Sequence, residues 1–412
     1  MLRLNTLTRV AALGAVVALA ACSDKPNPLG PSTPVGGDIF KSYVALGNSI
    51  TAGYQSGGIM DSTQRQSYAR LLAVQMGTQY HYAALFGRGC TPPIVNGLTG
   101  ALYANAPAGT CDLRTPSSVT DILNNVAVPA ARVLDPTSSS TVASNALTTF
   151  ILGGKTQVQK ALDAKPTFAT IWIGNNDVLL AGVTGLLTPY GSVSPGIVSS
   201  QTVFAANYDL MIKQLLDSAP GLKGVLISVV KVDGVAALSR GSVVLAQNAT
   251  INAATGKTVV IDANCTGSTA LINVPAIVQY IKLGAHTASI SCATTAVAAG
   301  PGFPGAFLGD IFVLDPTEQA ILTSAITAYN NYISGKATAI GFAYYDVNAL
   351  LAAQRTVGNV PAFPNFGSST ATYGTLFSLD GIHPSGAAHK LIANELIGVI
   401  NTKYGTSLKP VP

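Results

Sequence analysis

The chain has 412 residues, of which 48% are hydrophobic and only 10% are charged, well below the roughly 25% charge of an ordinary soluble protein. So many apolar residues exclude an intrinsically disordered chain, which needs few of them and a high net charge. The formal net charge of +5 includes no basic run, which argues against a nucleic-acid-binding protein. A membrane protein with several spans is the remaining class at this low charge, and the lengths of the apolar runs decide that question.

The one long apolar run lies at the N-terminus, where Arg3 and Arg9 precede an uninterrupted apolar segment at 10–21. A membrane span needs about 20 residues, so this segment is too short to cross a bilayer and is typical of a signal peptide. The run ends in Leu-Ala-Ala directly before Cys22, which resembles a bacterial lipobox. The pattern predicts a signal peptide at 1–21 and a lipid on Cys22, while an ordinary secretory signal beside a chance cysteine is the alternative.

Residues 22–40 are rich in Pro, Gly and Ser and lack periodicity, which predicts a tether between Cys22 and a folded domain at 41–405. Loss of the two arginines of the signal peptide lowers the formal net charge from +5 to +3. Ser23 after Cys22 resembles the pattern of outer-membrane lipoproteins. We therefore expect an exported, lipid-anchored protein of the bacterial cell envelope, on its periplasmic or surface face.

Four cysteines remain once Cys22 is assigned to lipid, and an oxidising compartment favours two disulfides among them. Of three pairings, the local one is favoured because it closes two short loops: Cys90–Cys111 and Cys265–Cys292. The sequence contains no CxxC pair or Cys/His cluster, so a structural zinc site is not expected. We predict no metal and no cofactor.

Apolar strand patterns alternate with helical patterns along the rest of the chain. Strands are predicted at 42–46, 123–128, 168–173, 224–230 and 343–347, and helices at 67–76, 155–162, 204–216, 315–334 and 385–400. Insertions at about 80–120 and 233–312 each hold one cysteine pair. This alternation predicts an α/β protein with a mostly parallel five-stranded sheet covered by helices on both faces. In such folds the functional site lies at the carboxyl ends of the strands.

Polar residues stand at the predicted strand ends and before the last helix. Ser49 follows the first strand between two glycines, the segment 125–130 follows the second strand, 174–177 (Gly-Asn-Asn-Asp) follows the third, and Asp380 precedes His383 by three residues. A serine, a histidine with a nearby acid, and an asparagine supply a nucleophile, a base with its orienting partner, and an oxyanion donor. The ordered set predicts nucleophilic catalysis.

These motifs resemble those of the SGNH (GDSL-like) hydrolase family, and the resemblance extends from about residue 43 to residue 400. It implies a flavodoxin-like three-layer α/β/α fold and hydrolysis of esters, with Ser49 as nucleophile, His383 as base and Asp380 as its partner. It also implies that the backbone N–H of Ser49 and the side-chain amide of Asn176 bind the oxyanion.

The sequence departs from the family pattern at two positions. Asn48 stands where the family often has Asp before the serine; this residue transfers no proton in the family's mechanism, so we expect activity to survive. Ala130 replaces the glycine whose N–H donates to the oxyanion, and we expect it to serve if its φ is negative. Gly87 and Gly89, in a Gly-Arg-Gly-Cys turn, are the rival donors.

The predicted function is a serine esterase or lipase that cleaves carboxylic esters of lipids or short acyl groups through an acyl-enzyme, with the small apolar residues of the 233–312 insertion bordering an acyl groove. A carbohydrate O-acetylesterase is the alternative among enzymes, because the same catalytic residues serve both. A non-catalytic surface-binding lipoprotein on the same scaffold is the alternative from another class, because fold does not imply function. We expect an ester substrate and a membrane as partners, and no nucleic acid.

Overall fold

The computed structural model describes residues 35–113, 121–138, 145–185, 187, 198–282, 289–293 and 312–412. The predicted signal peptide, Cys22 and most of the predicted tether lie outside these described residues. Within the described ranges, no helix is both long enough and apolar enough to cross a membrane.

The described residues form eleven strands and fourteen α-helices. The strands are β1 (Tyr43–Gly47), β2 (Ile94–Asn96), β3 (Ala101–Leu102), β4 (Phe168–Trp172), β5 (Lys223–Ile227), β6 (Leu238–Arg240), β7 (Val260–Ile261), β8 (Leu271–Asn273), β9 (Ser289–Ile290), β10 (Val313–Leu314) and β11 (Ala343–Tyr345). The helices are α1 (Ser49–Ala52), α2 (Asp61–Arg65), α3 (Tyr68–Met76), α4 (Asp135–Ser138), α5 (Ala146–Leu152), α6 (Gln157–Asp163), α7 (Leu179–Thr184), α8 (Gln201–Ser218), α9 (Gly241–Ala246), α10 (Asn248–Thr255), α11 (Val274–Lys282), α12 (Pro316–Ile340), α13 (Val347–Thr356) and α14 (Gly386–Tyr404).

The central sheet is parallel and has the strand order β1-β4-β5-β11. Side chains alternate between its faces, as in any strand buried on both sides. Val44 and Leu46 of β1 join a core with α6, α8 and α12, whereas Tyr43 and Ala45 join a second core with α3 and α14. Two helical layers therefore enclose the sheet, which confirms the predicted three-layer α/β/α fold.

The predicted second strand at 123–128 forms only an isolated parallel bridge, between Asn125 and Ala45. The N–H of Ala45 donates to the carbonyl of Asn124 at 2.8 Å, and the N–H of Val126 donates to the carbonyl of Ala45 at 3.0 Å. The Asn124 side-chain amide also donates to the Tyr43 carbonyl, and the Asn125 carboxamide accepts from the Ala127 N–H. Such side-chain bonds compete with a regular ladder, so four regular strands form where five were predicted.

The long helix α12 begins where the sequence predicts. The Asp315 carboxylate accepts from the Glu318 N–H at 2.8 Å, and the Glu318 carboxylate accepts from the Asp315 N–H at 2.9 Å. This reciprocal capping box satisfies two backbone donors that the first helical turn leaves free. The helix continues six residues past its predicted end to Ile340, because Gly341 (φ 74°) is the first residue to adopt the left-handed conformation.

The two insertions hold the two disulfides, Cys90–Cys111 and Cys265–Cys292, in the pairing that the sequence favours. The first insertion contains the β2–β3 hairpin. The second contributes β6 and β8 to an antiparallel sheet with β10, and its helices α9, α10 and α11 pack around a separate small core that includes Cys265 and Cys292. The described part of the second insertion therefore packs around its own core, beside the central sheet.

His389 of α14 is fully buried against α3, where the N–H of Tyr68 donates to its Nδ1 at 3.2 Å. A ring nitrogen that accepts a hydrogen bond requires the neutral imidazole. Burial, with a smaller contribution from His383, lowers the pKa of His389 from 6.5 to about 3. The unfolded chain consequently binds one more proton than the folded protein between pH 6.5 and about 3.

We expect His389 to weaken the fold as the pH falls through this range. Protonation of His389 in the unfolded chain removes about 2 kcal/mol of unfolding free energy between pH 7 and pH 5. His389→Asn keeps an acceptor for the Tyr68 N–H and removes the titrating group. Urea unfolding at both pH values should show a smaller pH dependence for this variant than for the wild type, with His81→Asn, at an exposed histidine, as the control. Equal pH dependence in wild type and His389→Asn would contradict the prediction.

Candidate active site

Ser49 is the first residue of α1, two residues past the end of β1. A Cβ atom at Gly47 would lie 2.4 Å from the Thr51 hydroxyl, so glycine is required where the strand turns into the helix. The side chain of Asn48 caps α1 by accepting from the Ile50 N–H at 3.2 Å. Asparagine and aspartate cap helices equally well, so an aspartate at this position could accept the same hydrogen bond.

His383 joins Ser49 and Asp380 into one hydrogen-bonded row. Its Nε2 lies 2.9 Å from the Ser49 hydroxyl, and its Nδ1 lies 2.8 Å from Oδ2 of Asp380. Because a carboxylate only accepts hydrogen bonds, Nδ1 carries the proton and Nε2 faces the serine with a lone pair. This arrangement can take the proton of the Ser49 hydroxyl, which makes the serine a nucleophile.

Asp380 is held by five donors. Its Oδ1 accepts from the N–H groups of Ile382 and His383, each at 2.9 Å, and from the Ser378 hydroxyl at 3.1 Å. Its Oδ2 accepts from the Gly57 N–H at 2.7 Å in addition to the imidazole. Burial alone would raise the pKa of Asp380, but the imidazole and the hydrogen bonds outweigh burial and lower it to about 2. The carboxylate is therefore ionised wherever His383 can act as a base.

The segment around Gly57 supports this acid, and sequence reasoning missed it. The Tyr54 hydroxyl donates to the Gly57 carbonyl at 2.5 Å, and the Tyr54 ring lies 4.8 Å from the His383 ring. A Cβ atom at Gly58 would lie 2.3 Å from the Thr91 carbonyl oxygen, so the chain passes where only glycine fits. No local signal could reveal the bond from Gly57 to Asp380, because 323 residues separate them.

Asn176 lies in a short turn directly after β4 and borders the same pocket as Ser49. A Cβ atom at Gly174 would lie 2.7 Å from the Phe204 ring, which explains the glycine at the start of the turn. The side-chain amide of Asn176 donates one hydrogen to the Ala131 carbonyl at 2.9 Å. An amide nitrogen carries two hydrogens, so the second remains for a substrate oxygen.

Ala130 occupies the third position of a turn closed by a hydrogen bond from the Ala131 N–H to the Val128 carbonyl at 3.1 Å. Its φ is 68°, so the negative φ on which the expected role of Ala130 was conditional is not found. Pro129 occupies the second position of the turn. With a positive φ at the third position, this is a type II turn. The family's glycine adopts this conformation freely, whereas alanine does so at a cost.

The 128–131 turn lies beside the segment that leads to Ser49 and beside Asn176. The N–H of Val128 donates to the Gly47 carbonyl at 3.2 Å, and the Asn176 amide reaches the Ala131 carbonyl. In the described part of the chain, the exposed Ala130 N–H has no acceptor. The rival segment around Gly87 and Gly89 packs elsewhere, against Ile59 and the Arg88–Asp112 ion pair. The 128–131 turn contacts Gly47 and Asn176 directly, which favours Ala130 over either glycine, and its role as second backbone donor stays a prediction.

We expect Ala130→Gly to raise the free energy of unfolding by about 1 kcal/mol, because glycine avoids the penalty of the left-handed conformation. Urea unfolding measures the change. Ala131→Gly is the matched control, since Ala131 is buried and lacks a positive φ, and this variant should be destabilised. A loss of stability in Ala130→Gly as large as that of the control would contradict the assigned turn.

Asp177 anchors the chain that follows the 128–131 turn, a role that sequence reasoning did not assign. It is fully buried, and its Oδ2 accepts from the Val133 N–H at 2.8 Å. Its Oδ1 accepts from the Ser199 hydroxyl at 2.5 Å and lies 3.5 Å from Nε of Arg132. Burial raises the pKa of Asp177, although Arg132 and the hydrogen bonds act in the opposite direction. This network joins the Asn176 segment to the chain that carries Ala130.

An apolar pocket with a cavity volume of about 80 Å³ is lined by Ser49 and His383. It lies between the carboxyl end of the central sheet and helices α13 and α14. Its apolar wall consists of Ile50, Trp172, Leu179, Val230, Val235, Val347, Leu350, Leu351, Leu376, Phe377, Ile382, Pro384, Ala388, Leu391 and Ile392. The 233–312 insertion, expected to border an acyl groove, contributes only Val235 to the described wall. In the part of the chain that the structure describes, no group of three or more His, Cys, Asp or Glu residues could hold a metal ion.

The fold is a three-layer α/β/α sandwich with the row of Ser49, His383 and Asp380 at the carboxyl end of a parallel sheet, which is the arrangement expected of a serine-type hydrolase. The sequence model of the GDSL-like lipase/acylhydrolase family matches residues 43–396. The chain therefore belongs to the GDSL-like lipase/acylhydrolase family, and it is an ester hydrolase by that membership.

Two solved structures are similar to 88% of this chain and 99% of their own chains. One is an extracellular lipase from Streptomyces rimosus, with 15% identity and a TM-score of 0.34. The other is phospholipase A1 from Streptomyces albidoflavus NA297, with 15% identity and a TM-score of 0.32. A search of the curated proteins finds no match.

Proposed function

We propose that the protein hydrolyses carboxylic esters of apolar acyl groups through an acyl-enzyme on Ser49. The row from Ser49 through His383 to Asp380 at the mouth of an apolar pocket is the observation that carries the proposal. The Ser49 oxygen attacks the ester carbonyl while His383 Nε2 takes its proton. The ionised Asp380 keeps the imidazole in the correct tautomer and stabilises the imidazolium that forms.

The negative charge of the tetrahedral intermediate falls on the former carbonyl oxygen. The backbone N–H groups of Ser49 and Ala130 and the amide of Asn176 are the donors for this oxygen, and the loss of one such donor typically lowers turnover about 10²–10³-fold. As the intermediate collapses, the ester C–O bond breaks and His383 protonates the departing alcohol. Water then attacks the acyl-enzyme with His383 as base, which releases the acid and restores Ser49.

The chemistry of the pocket supports an apolar acyl chain over an acetylated sugar. Side chains such as Leu350, Leu351 and Leu391 form its wall, and His383 is the only titratable side chain in the described lining. Each buried methylene group contributes about 0.8 kcal/mol, so an acyl chain gains affinity with length until the pocket is full. A sugar would bury hydroxyl groups against alkyl side chains, which is unfavourable without hydrogen-bonding partners.

Hydrolysis of p-nitrophenyl esters from acetate to decanoate, together with an acetylated xylose, tests this choice of substrate. We expect kcat/KM to rise by about three- to fourfold per methylene group over the first part of the series. Leu351→Trp narrows the pocket and should move the optimum to shorter chains. A higher kcat/KM for the acetylated sugar than for every alkanoate would overturn the assignment.

Asn48 and Ala130, the two departures from the family pattern, do not support the alternative of a non-catalytic binding protein. Asn48 caps the helix that carries the serine, and Ala130 retains its backbone N–H. The two disulfides suit the exported location predicted from the sequence. Lipid attachment at Cys22, within the part of the chain left undescribed, stays a prediction.

A further inference from the structure

A tight turn shortly before α2 presents a backbone N–H to Asp380. Gln55 and Gly58 close the turn through two reciprocal hydrogen bonds, from the N–H of Gln55 to the carbonyl of Gly58 at 2.8 Å and from the N–H of Gly58 to the carbonyl of Gln55 at 3.1 Å. The two central residues, Ser56 and Gly57, have φ values of 55° and 70°, as a type I′ turn requires. The N–H of Gly57 takes no part in this pairing and donates to Oδ2 of Asp380 at 2.7 Å.

The bond from Gly57 matters because of the oxygen that receives it. Oδ2 of Asp380 also binds Nδ1 of His383 at 2.8 Å, so the Gly57 N–H and the imidazole share one acceptor atom. A displacement of this N–H would move the oxygen that sets the tautomer and the direction of the imidazole. Glycine has more backbone freedom than any other residue, so its N–H keeps its direction only if other groups hold the residue.

Two hydroxyl groups from different parts of the chain hold Gly57 by its carbonyl. The hydroxyl of Tyr54 donates to this carbonyl at 2.5 Å, and the hydroxyl of Thr91 donates to it at 2.7 Å. The two hydroxyl oxygens lie 3.3 Å apart. A carbonyl oxygen has two lone pairs, so it can accept both hydrogen bonds at the same time.

Thr91 is itself fixed in place by the first insertion. Its carbonyl accepts from the Ile59 N–H at 2.9 Å, and the N–H of Cys90 donates to the Ile59 carbonyl at 2.9 Å. The disulfide to Cys111 cross-links the segment that carries Thr91. The first insertion therefore reaches Asp380 through Thr91 and Gly57.

We propose that Tyr54 and Thr91 are positioning residues, whose hydroxyls jointly hold the Gly57 carbonyl. The held residue in turn keeps Oδ2 of Asp380 aligned with the imidazole. This inference rests on the proposed ester hydrolase function and adds two residues to its machinery. Neither Tyr54 nor Thr91 belongs to the described lining of the pocket, so their loss should slow the chemical step and leave substrate binding unchanged.

The test removes the two hydroxyls singly and together, with substitutions that keep the shape of each side chain. On p-nitrophenyl octanoate, Tyr54→Phe and Thr91→Val should each lower kcat about fivefold, because the carbonyl keeps one of its two donors. The double variant should lower kcat about 10²-fold, more than the product of the single effects, because no hydroxyl then holds Gly57. KM should stay within about twofold in all three variants, and Thr91→Ser should restore most of the kcat lost in Thr91→Val.

A second pair of hydroxyls, at the opposite end of the central sheet, supplies the matched control. The Tyr404 hydroxyl donates to the Gly224 carbonyl at 2.6 Å, and the Thr167 hydroxyl donates to the Ser42 carbonyl at 3.1 Å. The double variant Tyr404→Phe with Thr167→Val should lose similar stability in urea and keep kcat within about twofold of the wild type. A loss of kcat in this control as large as in the Tyr54 and Thr91 double variant would overturn the proposal.

A readout that does not depend on turnover follows the proton on Nδ1 of His383. In protein with isotope-labelled histidine, the downfield resonance of this proton should stay in place in the control and move upfield in the Tyr54 and Thr91 double variant, as its bond to Asp380 lengthens. An unchanged resonance in that double variant, or a kcat equal to that of the control, overturns the proposal. If the wild type hydrolyses no ester while the double variant still moves the resonance, the hydrolase function fails and the positioning of the His383–Asp380 pair stands.

Discussion

Replacement of Ser49 by alanine is expected to lower kcat about 10⁶-fold and to abolish labelling by a fluorophosphonate probe. The loss is this large because the remaining base and acid have no nucleophile to activate, and members of such a catalytic row act as a unit. Activity on p-nitrophenyl octanoate and gel detection of the labelled protein measure the two effects. The oxyanion donors alone should leave a residual rate about 10³–10⁴-fold above that of water.

Ser218→Ala is the matched control for this experiment. Ser218 is the exposed last residue of α8, and its variant should keep both the turnover and the labelling of the wild type. Labelling of the Ser49→Ala variant at wild-type intensity would show that another residue is the nucleophile.

The second large effect is expected for Asp380→Asn, with a loss of about 10⁴-fold in kcat. An asparagine side chain has one acceptor oxygen, whereas the two oxygens of Asp380 accept five hydrogen bonds. In either orientation of the asparagine amide, its NH₂ group faces hydrogen-bond donors and finds no acceptor. When the NH₂ group faces His383, it favours the tautomer with the proton on Nε2, which cannot take the proton from Ser49.

Asp380→Asn also changes how stability depends on pH. The folded pKa of about 2 lies below the usual value of 3.8, so Asp380 stabilises the folded state at neutral pH by about 2 kcal/mol. This contribution disappears as the pH falls from about 4 to about 2, and the variant should lack that acid-dependent part. Asp217→Asn, in an exposed ion pair with Lys213, is the control and should stay within about 1 kcal/mol of the wild type. Wild-type turnover in Asp380→Asn would exclude Asp380 as the partner of His383.

Much of the fold and the row of catalytic residues could be predicted because their signals are local. An apolar run bounded by turn residues defines β1, and the spacing of Asp380 and His383 places both in one tight turn before α14. The prediction failed at 123–128, where Asn124 and Asn125 use their side chains to bond the backbone. Apolar content alone does not reveal that competition.

Other parts of the site depend on contacts between distant segments. The support of Asp380 by Gly57 and the anchoring by Asp177 of the chain that follows the 128–131 turn leave no pattern in the local sequence. Pro129 fits the second position of either a type I or a type II turn, so only the glycine of the family pattern indicated a left-handed residue at position 130. The described part of the 233–312 insertion contributes little to the pocket because many of its apolar residues are buried against one another in a separate core.

The nucleophile and its base stand 334 residues apart, near opposite ends of the chain. During synthesis, Ser49 stays an ordinary hydroxyl until the ribosome has added the 334 residues that lead to His383. A chain that stops before His383 can build the first strands of the sheet and still has no group to accept the serine proton. A polypeptide truncated before His383 is therefore expected to show no esterase activity.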